Sequence, residues 1–139
     1  MNKNLKNFRS LYEIVRNDIS FYTGNQHIRL RSLVANLLFN ASLQLVLLYR
    51  FSHWLHIRGC RLAFIFEWLQ IVSFGSRIEK RAEIGRSFGI AHPTGIVIGL
   101  AKIGNRVTIW QNVTIGATGR LKERGKYPVI EDNVKIFAG

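Results

Sequence analysis

Hydrophobic positions in the second half of the chain recur every six residues. Ile103, Ile109 and Ile115 keep that step, and a valine follows each of the first two after four residues, at Val107 and Val113. An amphipathic helix would repeat at about 3.6 residues and a half-buried strand at about 2. A short strand followed by a tight turn does fit, with one inward side chain per strand and the units stacked as a solenoid. The same step runs upstream through Ile78, Ile84 and Ile90, and resumes at Ile130 and Ile136 after the interruption GATGRLKERGKYP. Val97 begins the second set, seven residues after Ile90, so the spacing predicts one inserted residue at HPTG, beside His92.

The first half follows a different pattern. Residues 32–49, SLVANLLFNASLQLVLLY, carry no charge and approach the roughly 20 residues that cross a bilayer. Asn36, Asn40 and Gln44 are spaced by four, which gathers their amides on one face of a continuous helix. The segment therefore reads as a buried or interfacial amphipathic helix in preference to a span. Residues 61–74, RLAFIFEWLQIVSF, are too few to span and include Glu67; they read as a second packed helix, one able to lie on a membrane surface. Gly59 separates the two, and Gly75 ends the helical half. The predicted organisation is α+β, with a helical region over 1–75 and repeats over 76–139 that loop out at 116–128.

Composition adds bounds to this picture. A chain of 139 residues with 47% hydrophobic residues is globular, one domain or a small helical domain joined to a solenoid. Its single cysteine, Cys60, excludes an internal disulfide framework and a cysteine-rich zinc site, and suits a reducing cytosol. The start, MNKNLKNFRSLYEIVRND, has no apolar stretch close behind its basic residues, so no cleaved signal peptide is expected. A cytoplasmic location, at or near the inner face of the membrane, is the expectation. The formal net charge of +12 is spread through both halves, without a Lys/Arg-dense helix or a regular aromatic platform. Solvated surface charge explains it first and attraction to an anionic membrane or polyanionic ligand second; no nucleic-acid partner is predicted. His53 and His56 lie three apart on a helix, but no third ligand accompanies them and no metal is assigned.

The segment IEKRAEIGRSFGIAHPTGIVIGLAKIGNRVTIWQNVTIGATG, with the charged loop ending KYPVIEDNVKI, resembles the catalytic region of the serine acetyltransferases and their polysaccharide-modifying relatives. The resemblance is close over 71–139 and looser over the helical lead-in. It implies a left-handed parallel β-helix of hexapeptide repeats, a homotrimer, and acetyl-CoA as donor. It also makes the chain appear incomplete at its C-terminus, where the family continues through several more repeats. Acetyl transfer to an alcohol is limited by the poor nucleophilicity of a neutral hydroxyl, and a positioned base corrects this. Imidazole suits that role near neutral pH. The resemblance assigns it to His92.

The resemblance likewise places the donor along the edge of the solenoid, with Gly116, Ala117, Thr118 and Gly119 letting the backbone approach the pantetheine arm and thioester. Arg120, Lys122, Arg124 and Lys126 would face the coenzyme A phosphates. Several positions depart from the family. The aspartate that orients the histidine is matched by Arg77, and Glu79 is the candidate substitute on the same strand. The aspartate before the histidine is matched by Ala91, and the arginine-histidine pair of the loop by Lys126 and Tyr127. An amino-acid zwitterion needs a partner for each charge, and Lys126 alone remains. The expected acceptor is therefore a sugar hydroxyl of a surface polysaccharide or its precursor, with Gln111, Asn112 and Tyr127 as hydrogen-bonding groups. L-Serine is the alternative acceptor, and a truncated noncatalytic scaffold the third reading.

Overall fold

A computed structural model describes residues 8–24, 29–116 and 127–138. Four helices come first: α1 (Phe8–Thr23), α2 (Leu30–Phe39), α3 (Ala41–Ile57) and α4 (Ala63–Phe74). Nine two-residue strands follow: β1 (Arg77–Ile78), β2 (Glu83–Ile84), β3 (Gly89–Ile90), β4 (Val97–Ile98), β5 (Lys102–Ile103), β6 (Thr108–Ile109), β7 (Thr114–Ile115), β8 (Val129–Ile130) and β9 (Lys135–Ile136). They form three parallel sheets, β1-β4-β7, β2-β5-β8 and β3-β6-β9. The chain thus winds as a three-sided coil whose faces are visited in turn.

The period of six has a simple origin in this geometry. The second residue of each strand points inward, and the Cα partners stack isoleucine on isoleucine: 78 on 98 on 115, 84 on 103 on 130, 90 on 109 on 136. Ala82, Phe88, Ile96, Ala101, Val107 and Val113 fill the corners between these columns. Ile103, Ile109 and Ile115 share one core, as the spacing predicts. The register of the second coil is corrected. Val97 is 44% exposed and Ile98 is 1% exposed, so Ile98 is the inward residue. The corner after Ile90 is therefore two residues longer than the repeat, and the next corner, Gly99 to Ala101, is one shorter. The shortened corner makes the step from Ile98 to Ile103 five, which is why a step of six counted back from Ile103 lands on Val97.

The helices close the first coil. Its backbone N–H groups alternate, with those of Arg77, Glu79, Glu83, Gly85, Gly89 and Ala91 bonding to the second coil. The intervening groups point the other way and would be orphaned at the edge of the stack. Helical side chains meet them. Gln70 Oε1 accepts from Ile78 N at 2.8 Å, Glu67 Oε1 from Lys80 N at 3.1 Å, Asp18 Oδ1 from Phe88 N at 3.1 Å, and Tyr22 Oη from Ile90 N at 2.6 Å. Carbonyls are covered in the same way: Tyr49 donates to Ala82 O, Ser42 to Ala91 O, and Arg50 to both Ile84 O and Gly85 O. Arg50 also pairs with Asp18 at 2.8 Å, the side chains 3% and 0% exposed. Burial opposes the charged guanidinium, but Asp18 and Tyr49 together more than offset it and raise the Arg50 pKa.

The continuous helix expected over 32–49 is broken. α2 and α3 meet at 87°, with Asn40 between them. Asn40 Oδ1 caps α3 by accepting from Leu43 N at 3.0 Å, and its amide donates to Asn36 Oδ1. Gln44 Nε2 reaches back to the carbonyls of Leu37 and Leu38. The three amides that the spacing placed on one helical face instead knit the bend, because an asparagine serves an N-cap better than a helix interior. Gly75 ends α4 as expected, with φ of 58° and its N–H on Ile71 O.

Candidate active site

The corner carrying His92 is built to hold the backbone and release the side chain. It has six residues, Ala91 to Ile96, where the regular corners have four. Ala91 N donates to Ile109 O at 2.9 Å, fixing one side of the histidine. On the other side Ser76, buried beneath the turn, accepts from Ile96 N and lies within hydrogen-bond distance of Pro93 O, both at 3.0 Å. Gly95 has φ of 68°, and a Cβ there would collide with Asn112 Oδ1. Asn112, itself at φ of 59°, donates its N–H to Thr94 O at 3.0 Å. The two turns are thus fitted to each other. His92 projects from them, exposed, and its ring makes no hydrogen bond among the described residues.

Gln111 and Asn112 occupy the corner directly above, between β6 and β7, on the same edge as His92. Gln111 Oε1 is buried and has no hydrogen-bond partner among the described residues. A buried acceptor in that state costs about 1–3 kcal/mol unless a donor is supplied. The described residues of this edge, 91–96 and 110–113, include no Lys, Arg, Asp or Glu.

Within one chain Glu79 does not share this edge. It lies in the corner between the first and second faces, whereas His92 lies between the third and the first. Its carboxylate is bound by Arg77 at 3.1 Å and Arg81 at 2.9 Å, with Lys80 at 4.0 Å. No hydrogen bond or ion pair joins Glu79 to His92 among the described residues. The expectation of a shared strand side failed because β1 is only two residues long, so Glu79 is already in the turn. Arg77 also approaches Glu67, at 3.9 Å, and Lys80 binds Glu67 as well. The cluster neutralises two buried carboxylates beneath the coil.

Gly116 and Tyr127, both exposed, stand at the two ends of the long excursion between β7 and β8, on the same edge as Glu79. Ala117, Thr118, Gly119, Arg120, Lys122, Arg124 and Lys126 lie outside the described residues. A single coil therefore separates the sequence-predicted residues into two edges. His53 supports the fold instead of a site. Its Nδ1 donates to Lys80 O at 2.7 Å, and burial, with the nearby Arg50 charge, pushes its pKa down. Ser76 was not legible in the sequence, since its partners lie 17 and 20 residues away and a serine beside a glycine reads as a turn.

Comparison with known proteins places this geometry. The chain is 41% identical over 114 residues to a serine acetyltransferase of Bacillus licheniformis, covering 78% of this chain and 51% of that protein. It superposes on the crystal structure of a serine acetyltransferase from Vibrio cholerae with a TM-score of 0.76 and 32% identity, covering 91% of this chain and 49% of the other. The chain is serine acetyltransferase-like. Its three-sided coil is the left-handed parallel β-helix of those structures. A Neisseria gonorrhoeae serine acetyltransferase in complex with serine matches at TM-score 0.78 and 26% identity, over 94% of this chain and 54% of that one. A serine acetyltransferase in complex with CoA matches at 0.71 and 27%, over 92% and 52%. No family model matches the chain. The serine acetyltransferase-like chain spans between about a third and about half of the length of the curated relatives it matches.

Proposed function

We propose that the chain belongs to an acetyl-CoA-dependent O-acetyltransferase, with His92 as general base and L-serine as acceptor. The observation that carries the chemistry is the His92 corner, with its backbone held on both sides and its imidazole unengaged among the described residues. In the reaction the imidazole removes the hydroxyl proton as the oxygen attacks the thioester carbonyl. The tetrahedral oxyanion then collapses, the carbon–sulfur bond breaks, and the imidazolium returns the proton to the departing thiolate. Acetyl-CoA as donor is supported by the CoA complex of the similar enzyme, and L-serine by the serine complex. This reverses the order of acceptors expected from the sequence, since the similar proteins are named serine acetyltransferases.

A homotrimer accounts for the separation of the two edges. The edge with His92 and the edge with Gly116 and Tyr127 flank the same face of the coil. A threefold axis running along that face sets the first edge of one copy beside the second edge of the next, and the site then forms between subunits.

One observation favours a neutral acceptor as the second reading. The described part of the His92 edge offers amides and no charge for a zwitterion, and a buried charge without a partner costs several kcal/mol. The test is coenzyme A release by the whole protein, with L-serine in one series and neutral sugars in another. L-Serine-dependent release, lost by a factor on the order of 100 to 10,000 in His92→Ala, is the expected result. Turnover only with sugars would overturn the serine acceptor, and unchanged turnover in His92→Ala would overturn the base.

A further inference from the structure

The polarity of α4 is inverted. Its buried positions are Ala63, Glu67 and Gln70, the last two bonding to the first coil. Its outward positions are Phe64, Ile65, Trp68, Ile71 and Val72, with Leu62 just before them, and Trp68 is 57% exposed. A helix of a water-facing surface carries its polar residues on that side. α2 shows the same character: none of its residues is buried, and Leu38 and Phe39 at its end are largely exposed. An apolar groove of about 570 Å³ runs between α3 and α4, lined by Leu47, Leu48, Phe51, Phe66 and Leu69. Gln44, at its end, bonds to the carbonyls of Leu37 and Leu38, so the groove leads to the end of α2.

Charge specifies the occupant. No Asp or Glu occurs from residue 19 to residue 66. Arg29 and Arg31 stand at the start of α2 and Arg61 just before α4, all exposed. Apolar side chains including tryptophan and phenylalanine, framed by arginines that form no ion pair among the described residues, match the interfacial region of an anionic bilayer. We propose that α4, the groove and α2 form a docking surface for anionic phospholipid membranes. The contact is peripheral. α3 is tied to the coil through Tyr49 and Arg50, and no single described helix is long and apolar enough to cross a membrane.

The experiment is sedimentation of the whole protein with phosphatidylglycerol-containing vesicles and with pure phosphatidylcholine vesicles, at low and high salt. Preferential binding to the anionic vesicles, weakened by salt, is expected. Trp68→Glu combined with Ile71→Glu should lower the partition coefficient at least tenfold. Arg61→Glu should lower it about fivefold or more, the effect of one basic residue near an anionic surface. Because none of these residues is among those that hold the His92 corner, acetyl transfer in solution should persist in the variants, which separates this proposal from the proposed activity. Equal binding to both vesicle types, or undiminished binding by the double variant, would overturn it. So would a fall in particle mass of the double variant in vesicle-free buffer, measured by light scattering, since the face would then be a contact between copies of the chain.

Discussion

Asp18 and Arg50 offer a test of what holds the helices onto the coil. A buried ion pair alone can often be replaced by apolar residues without loss, because the desolvation of both charges disappears along with their attraction. This pair differs in what else it binds. Arg50 donates to Ile84 O at 2.7 Å and to Gly85 O at 2.6 Å, and Asp18 accepts from Phe88 N at 3.1 Å. Asp18→Asn preserves shape but strands the guanidinium, and should cost about 3–5 kcal/mol. In the double variant Asp18→Leu with Arg50→Met no buried charge remains. Three backbone groups of the first coil still lose their partners, at about 1–3 kcal/mol each. The double variant should therefore stay about 3 kcal/mol or more below the wild type, a large part of the roughly 5–15 kcal/mol that a domain commands. Urea unfolding followed by circular dichroism, at fixed protein concentration, measures both values. A double variant within about 1 kcal/mol of wild type would refute the reasoning, since the caps on the coil edge would then count for little.

Three further outcomes follow from the site and its supports. Gly95→Ala forces a side chain into a positive-φ turn and against Asn112, so it should lower stability by about 1–3 kcal/mol and reduce coenzyme A release; an unchanged melting temperature would contradict the fitted turns. Glu79→Gln should leave turnover within about twofold of wild type, because its carboxylate is already engaged by Arg77 and Arg81 and is not free to orient an imidazole, whether of its own chain or of a neighbouring copy; a loss comparable to that of His92→Ala would restore it as the partner of the base. His53 has a folded-state pKa below its usual 6.5, so the unfolded chain takes up its proton first as pH falls. Stability from this group is complete above about pH 6.5 and declines below it; melting temperatures between pH 7.5 and 5 should fall more steeply in the wild type than in His53→Gln, and parallel slopes would count against the assignment.

The repeat was legible because each coil position sees the same environment: a residue pointing into a three-sided core must be apolar, so Ile103, Ile109 and Ile115 announce themselves at a fixed step. The same locality makes Gly75 readable as a helix stop and His92 as a residue of an irregular corner. Where a shortened corner followed a lengthened one, the step of six was ambiguous, and only the stacking of Ile98 on Ile78 decided which residue faces inward. The bend at Asn40 was hidden because its spacing fits a helical face as well as a cap. Tertiary structure alone decided the polar contacts. Asp18 meets Phe88 across 70 residues and Ser76 meets Ile96 across 20, and no local pattern marks such pairs. It also decided that Glu79 and His92 stand on different edges, since a strand of two residues turns before its side-chain alternation can be used. Amino-acid sequence sets which residues want burial; the closing of the coil sets which polar groups are left to be satisfied, and by whom.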